Sequence, residues 1–201
     1  SKSFTALAVA QLAEQGKLDL NAAVRTYIPW FKVADEDASS RITINHLLHH
    51  TSGLSDAGYS VLLPNDATPE QAVRSLAQAR LTAAVGTKHQ YFNLGYGVLS
   101  YLIEIVSGER YADYVRAHIL DPLGMDASTA DPSTASGLAQ GYSRLFGFAI
   151  PVRQGVPAYG VGEGYIVSTA EEMARYASAM LREGDGLVTP EMAGRILTPG
   201  L

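Results

Sequence analysis

The sequence has 201 residues, 47% hydrophobic and 17% charged, which is enough apolar material to bury the core of one ordinary domain. The net charge of −5 argues against nucleic acid or an anionic membrane as a partner. The lack of cysteine excludes disulfides and thiolate-bound zinc, and no stretch reaches the roughly 18 apolar residues of a membrane span.

Cap and breaker residues divide the first half of the chain into short helices joined by loops. Glycine adopts the left-handed conformation at little cost and so ends helices, whereas short polar side chains bind the free N–H groups at helix starts. In chain order these signals predict a helix over 3–15 ended by Gly16, a brief helix capped by Asn21 that stops before Pro29, an extended piece over 41–44, a helix from Thr43 to His50, and a helix from Thr68 to about residue 80.

The second half contains a region of different composition. Residues 126–164 are rich in Gly, Pro, Ser and Thr, and we expect a hairpin around 142–148 and irregular loops there. The other signals predict helices over 93–106 ended by Gly108, over 111–119 stopped by Asp121-Pro122, over 168–182 ended by Gly184, and from Thr189 onward. Helical periodicity predicts that Leu7, Leu99, Ile103 and Met173 are buried.

Lys2 is the first candidate for a chemical role. A lysine at the start of an apolar helix is ordinarily a solvated end residue. Residues 1–5 (SKSFT), however, are followed by a stripe of small residues that resembles the helix of the S-x-x-K signature in serine β-lactamases and penicillin-binding proteins. In that signature the serine and lysine lie one helical turn apart, and the lysine takes the serine's proton. Ser1 is adjacent to Lys2 and points to another face, so the resemblance implies a nucleophile upstream of Ser1.

Tyr91 and Asn93 form a second candidate pair. They are the first and last residues of a Y-x-N triplet, which is uninformative alone because a tyrosine before a helix is common. This triplet, however, begins an amphipathic helix about 90 residues after Lys2. A phenol ionises only at about pH 10 and is a poor base at neutral pH unless a nearby ammonium stabilises the phenolate. Lys2 and Tyr91 therefore make chemical sense together, and we expect the Lys2 amine to lie at most one water from the Tyr91 hydroxyl.

Several further segments occur in the order and at the approximate spacing of a known family. They are residues 42–54 (ITINHLLHHTSGL), 120–125 (LDPLGM) and 164–175 (GYIVSTAEEMAR). With the segments around Lys2 and Tyr91 they cover nearly the whole chain and resemble the class C-like members of the serine β-lactamase and penicillin-binding-protein superfamily. The resemblance implies the α+β fold of β-lactamases and transpeptidases, in which an antiparallel sheet is flanked by helices and interrupted by a helical region.

The resemblance also implies how the chain is divided. Residues 1–16 would be the helix next to the nucleophile, residues 17–164 a mostly helical region with loops, and residues 165–201 the return toward the helices that flank the sheet. The chain would thus be mainly the helical region, with few strands. The third family motif, K-T-G or H-x-G, is not found in it. We therefore expect the chain to be an internal part of a longer enzyme.

The implied activity is acyl transfer through a serine acyl-enzyme on β-lactams, D-Ala-terminated peptides or esters, with Lys2, Tyr91 and Asn93 as catalytic residues. By the same resemblance we expect a small-molecule substrate, no cofactor, no metal, no nucleic acid and a periplasmic or secreted location. The chain alone is expected to be inactive because its nucleophile would lie outside it. The alternative is a degenerate relative whose cleft binds ligands without turnover.

Two competing sites receive less support from the sequence. His46, His49 and His50 have a spacing at which one helical face could hold a metal, but no carboxylate or cysteine cluster completes the set. We instead expect His50 to end its helix in a turn. Residues 160–164 (GVGEG) lack the strand and the acidic residue of a dinucleotide-binding unit, and we interpret them as a flexible loop near the cleft.

Overall fold

A helix buried on nearly all sides is the centre of the computed structural model, which describes residues 1–152 and 155–198. This helix, α1, spans Lys2–Glu14, and from Phe4 to Leu12 every residue except Ala6 is buried. A helix that is apolar around its whole circumference packs in an interior rather than on a surface. The buried part of α1 therefore extends well beyond the single stripe that the periodicity predicted.

Helix α5, Asn93–Ser107, packs against α1 and ends where the sequence predicted. Gly108 has φ 78°, and its N–H group closes the helix on the Glu104 carbonyl oxygen. Leu99 and Ile103 are fully buried, as is Leu7 on α1. The predicted burial of these three residues is therefore confirmed.

Shorter helices surround this pair, and most begin at a threonine cap. Thr43, Thr68, Thr169 and Thr189 each accept a hydrogen bond from the backbone N–H three residues further on, as a cap at these positions requires. The remaining helices are α2 (Glu36–Arg41), α3 (Ile44–Leu48), α4 (Pro69–Ser75), α6 (Tyr111–Val115), α7 (Ala170–Leu181) and α8 (Pro190–Leu197). None of the helices in the described ranges has the length and apolarity to cross a bilayer.

The predicted helix capped by Asn21 is wrong. Only a single 3-10 turn, Val24–Thr26, forms in this segment, and the Asn21 side chain accepts a hydrogen bond from Asn45 instead. The N–H group of Val24 donates to the Ile42 carbonyl oxygen, which draws this backbone into a bridge with a distant segment. A long-range pairing therefore overrides the local helix signal.

Other boundaries also differ from the predictions. Helix α2 was not predicted, and it occupies residue 41, where we expected an extended piece. Helix α4 ends at Ser75, whose hydroxyl donates to the Ala72 carbonyl oxygen and competes with helix continuation, so that only a 3-10 turn follows. The predicted helix over 111–119 is α-helical to Val115 and continues as a π-helical turn to Leu120.

Met173 is 37% exposed, so its predicted burial is wrong. The inward face of α7 is formed by neighbours of Met173, including Glu172 and Tyr176. The Glu172 carboxylate accepts hydrogen bonds from the Ala127 N–H group and the Ser128 hydroxyl, which holds it in the buried position. Further along α7, the Tyr176 ring stacks on Phe4 of α1 at a centroid distance of 4.0 Å.

A β-hairpin stands away from this core. Strands β1 (Gly141–Leu145) and β2 (Phe148–Val152) pair antiparallel and form the only sheet of the described residues. Phe146 and Gly147 at the turn both have positive φ angles, as two-residue hairpin turns require. All residues of both strands are exposed, so the hairpin buries no face against the helices.

A pair of leucine substitutions tests whether α1 and α5 form the core. Leu99→Ala should lower the free energy of unfolding by about 2–5 kcal/mol, because it leaves a cavity in packed surroundings. The matched control Leu62→Ala should change it by less than about 0.5 kcal/mol, because that side chain is 97% exposed. Urea denaturation followed by circular dichroism measures both, and equal effects would contradict the assignment of the core.

Candidate active site

Three distant segments of the chain meet at the side chain of Lys2. Its amine donates hydrogen bonds to Asn93 Oδ1 at 2.8 Å and to the main-chain oxygen of Glu163 at 2.6 Å. The same nitrogen lies 4.8 Å from the centroid of the Tyr91 ring and 5.5 Å from that of Tyr96. The structure thus brings together all three predicted site residues, Lys2, Tyr91 and Asn93.

The two acceptors leave one position on the amine free for chemistry. Besides its bond to carbon, the lysine nitrogen has three protons when the amine is charged, and two protons and a lone pair when it is neutral. Asn93 Oδ1 and the Glu163 carbonyl oxygen each take one N–H group. The third position can therefore donate a proton to an adjacent hydroxyl or accept one from it, without loss of either fixed hydrogen bond.

Tyr91 meets Lys2 through the face of its ring. At 4.8 Å from the centroid, the Lys2 nitrogen is within the range of a cation–π contact. The Tyr91 side chain is 53% exposed and so remains accessible to a substrate. The close approach of the Tyr91 hydroxyl to the amine stays a prediction.

Tyr96 also lies near the Lys2 amine, but its hydroxyl is already engaged. It donates to the main-chain oxygen of Leu48 at 2.9 Å. Burial, and secondarily the neighbouring Tyr91, raises the pKa of Tyr96 to about 12, which keeps this phenol neutral. The hydroxyl of Tyr96 is therefore poorly suited to exchange protons with Lys2.

His50 holds the segment that carries Tyr91. Its Nδ1 atom accepts a hydrogen bond from the Phe92 N–H group at 3.3 Å, and its carbonyl oxygen accepts one from the Gln90 N–H group at 2.7 Å. The ring centroid of His50 lies 4.8 Å from that of Tyr91. Both neighbours of Tyr91 are thus bound to one residue, a role that the sequence analysis missed because the contacts span about 40 residues of chain.

The environment of His50 keeps its imidazole neutral. Burial is the main cause, and His89, Lys2 and His49 add positive charge nearby, so that the pKa of His50 falls to about 4. A neutral ring has one nitrogen free to accept a hydrogen bond, which the contact with Phe92 requires. His50 also has φ 55° and follows α3, in agreement with its predicted place in a turn.

Residues 160–164 reach the site because two close contacts hold them. The Thr5 hydroxyl donates to the Gly162 carbonyl oxygen at 2.8 Å and shares a second hydrogen bond with the Tyr111 hydroxyl at 2.7 Å. A Cβ atom at Gly162 would lie 2.4 Å from Cβ of Ser100, so only glycine fits there. The loop does lie beside the site as predicted, and the glycine at 162 is needed for this close packing, which places the Glu163 carbonyl oxygen on the amine.

The histidines of the alternative metal site have other positions and contacts in the structure. His46 Nδ1 accepts a hydrogen bond from the Thr43 N–H group and so completes the capping box of α3. His49 is exposed at the end of the same helix. Within residues 1–152 and 155–198, no group of three or more histidine or acidic side chains is placed to hold a metal ion.

The positioning role of His50 can be tested with asparagine, which tolerates positive φ. His50→Asn should lower the free energy of unfolding by about 1–2 kcal/mol at pH 7.5, because the imidazole contacts are lost. Since the folded protein holds His50 neutral, wild-type stability falls relative to the variant as the pH drops from 6.5 toward 4.

Urea denaturation at pH 7.5 and pH 5 measures this effect. The difference between wild type and His50→Asn should shrink by on the order of 1 kcal/mol at pH 5, since partial exposure of the ring reduces the effect. His49→Asn, on the exposed neighbouring residue, should change stability little at either pH. A pH-independent difference for His50→Asn would contradict the buried neutral imidazole.

Comparison with known proteins identifies the family of the chain. The family model described as Beta-lactamase matches residues 1–201. The putative penicillin-binding protein PbpX of Bacillus subtilis is 31% identical, with 99% of this chain and 49% of that protein covered. The unguisins hydrolase ungD' of Aspergillus campestris is 30% identical, with 94% and 38% covered. The chain thus spans half or less of the length of these curated relatives.

Solved structures show the same fold. A penicillin-binding protein homologue from Pyrococcus abyssi superposes with a TM-score of 0.81 at 29% identity, over 98% of this chain and 47% of that one. EstCE1, a hydrolase with promiscuous acyltransferase activity, gives a TM-score of 0.78 at 27% identity, over 96% and 60%. The predicted β-lactamase/transpeptidase-like fold, represented here mainly by helices, is confirmed. Matched by the family model from end to end, this chain belongs to the beta-lactamase family of serine hydrolases.

Proposed function

We propose that the whole protein transfers acyl groups through a serine acyl-enzyme, acting on β-lactams, D-Ala-terminated peptides or esters. The observation that carries this proposal is the Lys2 amine, which is fixed by Asn93 and the Glu163 carbonyl oxygen while its third position stays free beside Tyr91. An amine held in this way suits proton exchange with a nucleophilic hydroxyl.

The nucleophile in this proposal is a serine three residues before Lys2, which would lie one helical turn away on the same face. Ser1 itself is unsuited, because its hydroxyl accepts a hydrogen bond from the Ile166 N–H group at 3.1 Å and it is adjacent to Lys2. Asn93 holds the orientation of the amine, and Tyr91 relays protons at the exposed side of the site.

The reaction proceeds in two steps, acylation of the serine and hydrolysis of the acyl-enzyme. The serine oxygen attacks the carbonyl carbon while its proton passes to the free position of Lys2. The C–N or C–O bond of the resulting tetrahedral intermediate then breaks, and the released nitrogen or oxygen receives this proton from Lys2 through Tyr91. Water then attacks the acyl-enzyme by the same route, which releases the acid and returns the proton to serine. No step requires a cofactor.

The relatives support the reaction class more than any one substrate. Their names include a penicillin-binding protein, an unguisins hydrolase and a promiscuous acyltransferase, so related sites serve different carbonyl compounds. We therefore propose a small-molecule carbonyl substrate and let the assay compare the substrate types. We also expect the 201-residue chain alone to be inactive, because the proposed nucleophile lies outside it.

Covalent labelling tests the roles of the site residues. Lys2→Ala in the whole protein should lower the acylation rate at least about 100-fold, because the serine loses its base. Tyr91→Phe and Asn93→Ala should each lower it by about tenfold or more, since they remove the relay and one anchor of the amine. Lys17→Ala, on an exposed lysine, is the matched control and should leave the rate unchanged.

Intact-protein mass spectrometry after incubation with a chromogenic cephalosporin and a short-chain nitrophenyl ester measures the adduct. Equal labelling of wild type and Lys2→Ala would overturn the assignment of the base. Reversible binding without an adduct in the whole protein would favour a non-catalytic binding module. An adduct on the 201-residue chain that disappears in Ser1→Ala would identify Ser1 as the nucleophile and refute the upstream serine.

A further inference from the structure

Tyr111 begins helix α6, which supplies neither of the two oxygens bound to the Lys2 amine. Its side chain is buried, and its hydroxyl lies 2.7 Å from Thr5 Oγ1 on α1. The N–H group of Tyr111 donates to the Glu104 carboxylate at 2.9 Å, which holds the start of α6 against α5. The phenol is therefore fixed in the core, one hydrogen bond away from the helix that carries Lys2.

The single proton of the Thr5 hydroxyl determines the direction of both hydrogen bonds that this group forms. A carbonyl oxygen can only accept, so the Thr5 hydroxyl donates to the Gly162 oxygen at 2.8 Å. The lone pairs of Thr5 Oγ1 remain free to accept, and the Tyr111 hydroxyl is therefore the donor. Burial raises the pKa of Tyr111, so the phenol keeps the proton that it donates.

A threonine inside a helix has a second way to satisfy its hydroxyl. Its side chain divides between two rotamers, because Oγ1 can turn to the carbonyl oxygen three or four residues earlier. Four residues before Thr5 is Ser1, whose carbonyl oxygen already accepts a hydrogen bond from the Thr5 N–H group. The Tyr111 hydroxyl stabilises the rotamer in which Oγ1 lies beside it, and this is the rotamer that reaches Gly162.

We propose that Tyr111 is a positioning residue for the Lys2 amine, to which it is linked through Thr5. The phenol selects the Thr5 rotamer whose hydroxyl holds the Gly162 carbonyl oxygen. The next carbonyl oxygen of the loop, that of Glu163, then accepts a hydrogen bond from Lys2 at 2.6 Å. The effect on catalysis rests on the proposed function, in which Lys2 is the base for the serine.

Loss of the Tyr111 hydroxyl would loosen one of the two anchors of the amine. Thr5 would adopt its other rotamer for part of the time, and the loop would then hold its carbonyl oxygen on Lys2 less firmly. An amine with one firm anchor samples orientations in which its free position points away from the serine, which slows proton transfer. Because Tyr111 is buried and cannot touch a substrate, the defect should appear in the rate of acylation and not in substrate affinity.

Tyr111→Phe in the whole protein tests this link, because it removes only the hydroxyl. The maximal rate of serine acylation by a nitrophenyl ester should fall about fivefold, the weight of one hydrogen bond, while the half-saturating ester concentration stays within about twofold of wild type. The control Tyr114→Phe removes a buried hydroxyl of the same helix that forms no hydrogen bond with Thr5 or Gly162, and it should leave the rate unchanged. An unchanged rate for Tyr111→Phe, or equal losses in both variants, would overturn the proposal.

Substitutions at Thr5 separate this role from a general effect on the core. Thr5→Val removes the hydroxyl and keeps the shape, so it should lower the acylation rate by about fivefold to tenfold, whereas Thr5→Ser keeps a hydroxyl and should retain about half of the rate or more. Because Tyr111 acts through Thr5, adding Tyr111→Phe to Thr5→Val should cost less than about a further twofold. Losses that multiply in the double variant would show that the two residues act independently, which contradicts the proposal.

The loop at 160–164 offers a measurement that does not depend on turnover. Two of its N–H groups donate to a carbonyl oxygen of the same loop, so their hydrogen exchange reports how often the loop opens. Exchange in the peptide that covers the loop should be about threefold faster or more in Tyr111→Phe than in wild type, and unchanged in Tyr114→Phe. Equal exchange in the two variants would overturn the proposal. If the loop exchanges faster as expected but wild type forms no acyl-enzyme, the proposed function fails while the link from Tyr111 to the loop stands.

Discussion

The hydrogen bonds of the Lys2 amine tie the site together. They connect residues separated by 91 and 161 positions along the chain, so the site exists only when α1, α5 and the loop at 160–164 are all in place. Each segment loses conformational freedom when it is ordered, and the contacts at the amine alone are too few to offset that loss. The burial of α1 must provide the stability on which the site depends.

The buried position of α1 also explains how the loop at 160–164 is placed. Thr5 lies one turn after Lys2 on the same helix, and its hydroxyl holds the Gly162 carbonyl oxygen. The next residue of the loop then presents its own carbonyl oxygen to Lys2. One helix thus carries both contacts with the loop, and the packing of Gly162 against Ser100 of α5 holds the loop from the other side.

Local signals in the sequence were sufficient for much of the fold. Threonine caps, Gly108 and the apolar spacing of α5 act within a few residues, so they predicted helix starts and core positions correctly. Met173 was misassigned because Glu172, an acidic residue expected at the surface, is held inside by Ala127 and Ser128. These two hydrogen bonds join residues 45 and 44 positions apart, so the helical periodicity of the sequence does not indicate them.

The site was predictable only to the extent that family motifs record it. Lys2, Tyr91 and Asn93 were identified from motifs and do meet in space. His50 was not assigned a role at the site, because its contribution comes from contacts with backbone about 40 residues away. Such contributions depend on three-dimensional surroundings, which the spacing of residues in one sequence does not contain.

The hairpin of β1 and β2 differs from the rest of the molecule in how it can open. Its backbone hydrogen bonds are exposed along both strands, and none of its residues is buried in the core. Separation of the two strands would therefore expose little additional apolar surface and need not disturb α1 or α5. In native-state hydrogen exchange, the hairpin amides would exchange through local opening, long before those of the central helices, whose exchange requires the whole core to unfold.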